Sequence, residues 1–142
     1  MFFWPAPVTA IVKCKEMTDI SDLIDRTQEW PESWKIVGSD LEKSDELVSI
    51  FVAFLNHIAE KGLTKRTIRR HLDYLWLLGG EIISKINYYP DDRHKSAMDL
   101  LGASVDPEGG PLSRHLSTKD EIKSFDATCR KLYAFLEQDG GI

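Results

Sequence analysis

A short basic segment, residues 61–71, is the part of the sequence best suited to bind a charged ligand. It reads Lys-Gly-Leu-Thr-Lys-Arg-Thr-Ile-Arg-Arg-His and contains five positive charges and no acidic residue. The chain has a net charge of −5, so the remaining residues together carry −10. A helix that begins in this segment presents free backbone N–H groups and a positive dipole end beside the cations, which favours phosphate as the ligand. The basic residues are Lys61, Lys65, Arg66, Arg69 and Arg70.

A second interpretation of the same segment is a solvated helix face with no ligand. Arg69 precedes Asp73 by four residues, which is the spacing of an exposed ion pair on a helix. Charge runs of this kind commonly contribute to solubility and helix stability alone. The sequence leaves both interpretations open.

The residues that could support catalysis or metal binding do not form a complete set. His57 and Glu60 are three residues apart and would supply two ligands from one helix face, whereas a zinc site needs three or four. Cys129 lies in an apolar helical stripe, where a buried thiol is unreactive. His71 lies at the edge of an apolar face and is typical of a hydrogen-bonded core histidine. We therefore predict no catalytic residues, no metal site and no cofactor, and hence no enzymatic activity.

Tyr74 and Leu77 indicate a different kind of surface. Both fall towards the polar side of the helix that follows the basic segment, beside the pair Gly79-Gly80. Exposed apolar side chains next to small residues favour contact with another helix. The alternative function is therefore protein–protein interaction or self-association through Tyr74 and Leu77.

Composition places the chain among ordinary globular proteins. It has 142 residues, of which 42% are hydrophobic and 29% charged, enough for one domain with its own core. Cys14 and Cys129 are predicted to be unpaired thiols in a reducing cytosol, so the predicted location is cytoplasmic. The apolar start, residues 1–12, contains Pro5 and Pro7 and is too short to span a bilayer, so no membrane association is expected.

Three long helices and two shorter ones are predicted from periodicity and breakers. The long helices lie near 40–61, 65–87 and 118–138, and a shorter one lies near 92–101. A further short helix runs from Asp19 to about Glu29, capped by Thr18 and stopped by Trp30-Pro31. Within the second long helix, Gly79-Gly80 predicts either a bend or the close approach of another helix. The residues predicted to be buried together are Leu47, Phe51, Phe54, Ile58, Ile68, Leu72, Leu75, Phe125, Cys129 and Leu132.

Capping residues define where these helices begin. Ser39 with Glu42 has the spacing of a capping box, and Ser117 with Asp120 is predicted to cap the last helix. Thr64 or Thr67 is predicted to cap the second long helix. The resulting fold class is all-α, a small helical bundle or orthogonal array of four to five helices. Residues 1–38 are expected to form an N-terminal segment, extended over 8–15, that packs on a helical domain of residues 39–142.

The stretch from Leu47 to Leu78 resembles the N-terminal core-binding domain of tyrosine recombinases, the phage integrases. It consists of an amphipathic helix, Gly62, a short turn, and a Thr67-Ile68 pair that opens the next helix. The same stretch is similar to a helix-turn-helix with Gly62 at the turn. The resemblance implies a small helical bundle that clamps DNA, with Lys65, Arg66, Arg69 and Arg70 facing the groove or the phosphates. No recombinase catalytic domain is recognised in the chain, so the resemblance does not imply strand cleavage.

The function predicted from the sequence is therefore a non-catalytic helical module that contacts duplex DNA through residues 61–71. The alternative is a helical protein-interaction or oligomerisation module with no role in nucleic-acid binding. The negative net charge predicts that any DNA binding is weak and depends on salt concentration.

Overall fold

The structure, a computed structural model, describes residues 18–111 and 115–138 of the 142. All the regular elements in these residues are helices, which confirms the predicted all-α class. The α-helices and one 3-10 helix are α1 Ser21–Thr27, α2 Trp30–Trp34, α3 Asp40–Glu60, α4 Lys65–Tyr88, the 3-10 helix Pro90–His94, α5 Ala97–Ser104 and α6 Lys119–Gln138. The expected extended segment at 8–15 and the thiol of Cys14 lie outside the described residues.

Helices α3, α4 and α6 form the centre of the fold. Their apolar faces repeat every three to four residues and meet in one continuous core, as the periodicity predicts. Phe54 of α3 meets Phe135 of α6 edge to face, and Tyr74 of α4 meets Phe125 of α6 in the same way. Every residue predicted to be buried is buried in this core. Among the described residues, no helix is both long and apolar enough to cross a membrane.

Proline and local caps move the short helices away from their predicted positions. Pro31 does not simply stop the first helix, because it sits in the first turn of the new helix α2, a position that proline favours. The helix predicted near 92–101 is present, but it is divided into two elements with different bounds. Pro90 starts the 3-10 helix, and α5 begins later because the Ser96 hydroxyl caps it by accepting a hydrogen bond from Asp99 N.

Three of the predicted caps are also wrong. Ser39 makes no capping hydrogen bond to α3. At α6, Thr118 Oγ1 accepts from Glu121 N while Glu121 Oε1 accepts from Thr118 N, a capping box one residue later than expected. At the start of the described chain, Thr18 does not cap α1, because its hydroxyl donates to the Leu63 carbonyl.

Asp40 joins the start of α3 to the end of α4 through a buried network. Its carboxylate is fully buried and accepts hydrogen bonds from the backbone N–H groups of Ile36 and Val37 and from the Asn87 amide. Arg93 donates to Asp40 Oδ1 at 2.7 Å and to Asn87 Oδ1 at 2.6 Å. Burial by itself would raise the pKa of Asp40, but these hydrogen bonds outweigh it and lower the pKa to about 2.

Helix α4 runs without a break through Gly79-Gly80, and an aromatic ring lies directly on the glycine pair. The Trp34 indole of α2 packs so closely that a Cβ at Gly79 would lie 2.3 Å from its ring carbons. Trp34 Nε1 also donates to the Trp76 carbonyl at 2.9 Å. Of the two alternatives for the glycine pair, close approach of another helix is therefore the one found.

Candidate nucleic-acid interface and neighbouring surfaces

The basic segment is positioned by a tight turn between α3 and α4. Gly62 adopts a φ of 81°, a left-handed conformation that glycine accepts without strain, and its N–H bonds to the Ala59 carbonyl. The Thr64 hydroxyl then accepts from Thr67 N at 3.2 Å and caps α4. The chain thus reverses within a few residues, and the basic side chains fall on the first turns of α4.

Three of the predicted binding residues are exposed and available to a ligand. Arg66, Arg69 and Arg70 are exposed, and none has an ion-pair partner within the part of the chain that the structure describes. The Arg69–Asp73 pair that the spacing allows is not formed. Their charge is therefore not offset locally, in contrast to a self-neutralising helix face.

Lys65 is placed differently, because it pairs with an acid of α1. Its ammonium group lies 2.8 Å from Asp22 Oδ1, and hydrogen bonding to Lys65 lowers the pKa of Asp22. Both side chains are largely solvated, so this pair contributes little to stability. The pair with Asp22 does offset the charge of Lys65, so Lys65 is a weaker candidate for phosphate binding than the arginines.

Lys131 of α6 is a further cation near Lys61 and Arg70, and the sequence alone did not identify it. Lys61 and Lys131 line one cleft between α3 and α6, and Lys131 and Arg70 both act on the ring of His71. Burial first, with smaller contributions from these two charges, lowers the pKa of His71 to about 4. We call Lys61, Arg66, Arg69, Arg70 and Lys131 the basic surface.

His71 anchors α6 to α4 directly beneath this surface. Its Nδ1 lies 2.7 Å from Thr128 Oγ1, and the ring is 5% exposed. Its Nε2 is buried and has no hydrogen-bond partner among the described residues. The predicted core histidine is therefore buried with one ring nitrogen hydrogen-bonded and the other without a partner among the described residues.

The predicted apolar spot at Tyr74 and Leu77 is less exposed than expected. Both side chains are partly buried and pack against the core, Tyr74 on Phe125. The residue that reaches solvent here is Trp76, at 45% exposure, with its indole N–H donating to Ser33 Oγ. Helix α2 packs on one side of α4, with Trp34 at its end. The periodicity of α4 alone does not predict this packing, because it depends on the tertiary structure.

Trp76 lies between two adjoining depressions on the α2/α4 side of the protein. One of about 480 Å³ includes Tyr74 and Leu77, and the other, of about 670 Å³, extends to Tyr88. We call this surface the aromatic groove. Further exposed apolar side chains are Ile36, Val37, Tyr88 and Tyr89.

The remaining chemically interesting groups are buried in structural roles. Burial raises the pKa of the Cys129 thiol to about 12, and a Cβ at Gly110 would lie 2.4 Å from its sulfur. Such a thiol is neither a nucleophile nor a metal ligand at neutral pH. The His57 ring packs on Phe135. Within residues 18–111 and 115–138, no three potential metal ligands lie together.

No family model, curated protein or solved structure matches the chain.

Proposed function

We propose that this protein is a non-catalytic helical module that binds duplex DNA through the basic surface. The observation that carries the proposal is the presence of Arg66, Arg69 and Arg70 on the first turns of a 24-residue helix, exposed and without ion-pair partners in the described chain. Guanidinium groups match phosphate geometry, and the helix dipole reinforces them at this end. The location we propose is the cytoplasm, and its support is the free thiol of Cys129.

The contacts we propose are with phosphates rather than with base edges. Asp73, exposed one turn beyond Arg69 and Arg70, would be repelled by a DNA strand that followed α4 further. Trp76 and Leu77 come next and are apolar. The resemblance to recombinase core-binding domains therefore supports a backbone clamp more than a recognition helix deep in the major groove.

The test is a titration of labelled duplex DNA against the protein at several salt concentrations. Replacement of Arg66, Arg69 and Arg70 by alanine should weaken binding equally for unrelated sequences, because phosphate contacts carry no base identity. The slope of log K against log salt should shrink by roughly 0.9 for each phosphate that the variant no longer neutralises. Lys131→Ala should shrink it further.

A charge-matched variant serves as the control. Lys85, Lys119 and Lys123 are exposed and lie outside the basic surface, and their replacement by alanine removes the same three charges. This control should keep most of the affinity and the salt slope. Equally weakened binding in both triple variants, or no binding by the unmodified protein at low ionic strength, would reject the proposal.

Self-association through the aromatic groove is the second candidate function. Its support is the exposed indole of Trp76 between two depressions lined by Tyr74, Leu77 and Tyr88. Exposed aromatic side chains in shallow apolar depressions are typical of interface anchors. Light scattering over a concentration series should then show a dimer that Trp76→Ala dissociates, while a monomer at all concentrations would exclude it.

A further inference from the structure

Helix α1 lies against the turn that leads into the basic segment. Thr18, which precedes α1, donates its backbone N–H to the Ala59 carbonyl at 3.1 Å and its hydroxyl to the Leu63 carbonyl at 2.6 Å. Leu23 of α1 is fully buried in the core. These contacts fix the first turn of α1 against the α3/α4 turn, so the exposed side chains of α1 are held close to the start of α4.

Two acidic side chains at the start of α1 are close to Lys65 of α4. Asp22 Oδ1 lies 2.8 Å from the Lys65 ammonium group. Asp19 is exposed beside it, and its pKa is lowered mainly by hydrogen bonds from Ser21, with a smaller contribution from the charge of Lys65. The first turn of α1 therefore places negative charge next to a cation of the basic segment.

Lys65 differs from the neighbouring arginines because it already has an anionic partner. Arg66, Arg69 and Arg70 have no ion-pair partner within the described ranges. The side chains of Lys65 and Asp22 both reach solvent, and an ion pair of this kind is weak enough to exchange. A DNA phosphate bound at Arg66 would come close to Lys65, the preceding residue, and would offer it an equivalent acceptor oxygen.

We propose that Asp22 competes with DNA phosphate for Lys65 and thereby limits the affinity of the basic surface. The inference rests on the proposed DNA binding and adds a residue that controls it. While Lys65 is paired with Asp22, it neutralises no phosphate and releases no counterion from the DNA. Asp19 and Asp22 also repel a DNA strand that extends from Arg66 towards α1.

The experiment is a titration of labelled duplex DNA with the variant Asp22→Asn at several salt concentrations. Binding should tighten by roughly three- to tenfold at low salt, and the slope of log K against log salt should steepen by roughly 0.9, because Lys65 then neutralises one more phosphate. In a Lys65→Ala background, Asp22→Asn should leave the slope unchanged.

Asp25→Asn is the matched control. Asp25 is exposed on the same helix and has no ion-pair partner in the described part of the chain. Its replacement changes the net charge equally without releasing Lys65, so the salt slope should stay as in the unmodified protein.

The outcomes separate this inference from the proposed function. If the unmodified protein binds DNA but Asp22→Asn leaves the slope unchanged, the competition is overturned while DNA binding stands. A steeper slope that persists in the Lys65→Ala background would also overturn it, because Lys65 would not be the cation released. Binding seen only with Asp22→Asn would support the competition. If neither the unmodified protein nor Asp22→Asn binds at low ionic strength, the proposed function fails and the inference fails with it.

Discussion

His71 makes the stability of this protein sensitive to mildly acidic pH. The folded-state pKa is about 4, against an ordinary value of 6.5, because the ring is buried and faces the charges of Lys131 and Arg70. Below pH 6.5 the unfolded chain binds a proton that the folded chain excludes. The free energy of unfolding should therefore fall as the pH drops from 6.5 towards 4, by up to about 3 kcal/mol.

The variant His71→Asn tests this expectation while keeping a hydrogen-bonding group near Thr128. Urea unfolding at pH 7, 5.5 and 4.5 should show a clear decline for the unmodified protein and a flatter profile for the variant. Parallel profiles would mean that another group is responsible. Asp40 interferes little in this range, because its contribution to stability is lost mainly between its ordinary pKa of 3.8 and its folded pKa of about 2.

Asp40 is the polar residue whose removal should cost most stability. It is fully buried and accepts from Arg93, Asn87 and two backbone N–H groups, so Asp40→Ala leaves several donors without a partner. We expect the free energy of unfolding to fall by roughly 2–4 kcal/mol. Asp22→Ala, which removes the exposed pair with Lys65, is the matched control and should change stability little. Equal effects of the two variants in urea unfolding would contradict the proposed network.

At the residue scale, the sequence predicts which side chains are exposed better than it predicts which residues they contact. The exposure of Arg66, Arg69 and Arg70 follows from helical periodicity, because Arg66 and Arg70 lie opposite the apolar stripe of α4 and Arg69 lies beside them. The part played by Lys131 could not be predicted, since it depends on the packing of α6 against α4 through His71 and Thr128. The burial of Asp40 could not be predicted either, because its partner Arg93 is distant in sequence.

At the level of elements, helix α4 depends on the absence of a side chain at Gly79. A Cβ there would lie 2.3 Å from the Trp34 ring, whereas a Cβ at Gly80 would lie 3.4 Å from it. Gly79→Ala should therefore destabilise the protein, even though alanine favours the helix by about 1 kcal/mol. Gly80→Ala keeps that helical advantage with little steric cost and should be neutral or mildly stabilising. Thermal unfolding of the pair measures the difference, and equal melting temperatures would show that Trp34 moves aside.

The ends of the long helices could be predicted closely from the sequence, whereas the ends of the short helices could not. Helices α3, α4 and α6 each carry an apolar stripe over many turns, so their ends fall within about a residue of the predicted positions. In the short helices α2 and α5, one proline or one capping residue decides where the helix starts. Pro90 begins the 3-10 helix, and the capping hydrogen bond of Ser96 begins α5 only a few residues later. Local hydrogen bonds therefore decide where one short helix ends and the next begins.

Over the whole molecule, an acidic protein carries a local group of five cations, the basic surface. With a net charge of −5, long-range repulsion of DNA opposes the local attraction of the basic surface. The affinity for DNA should therefore depend on local attraction by the basic surface and on long-range repulsion by the rest of the protein. A charge close to the basic surface should change the affinity more than an equal charge elsewhere. Ionic strength weakens both fields, but it acts more strongly on the distant one.

Asp73 offers a direct test of that balance. It is exposed on α4 one turn beyond Arg69 and Arg70, and it has no ion-pair partner among the described residues. Asp73→Asn should tighten DNA binding by about two- to threefold at low salt. The variant removes the repulsion between one carboxylate and a nearby phosphate, and in a solvated setting that repulsion is weak. Asp45→Asn, on the exposed face of α3, changes the net charge equally and should have a much smaller effect. Fluorescence anisotropy on a short labelled duplex measures both variants. If the two variants tighten binding equally, net charge alone governs the association and the basic surface is not the contact, whereas a gain confined to Asp73→Asn locates DNA beside Arg69 and Arg70.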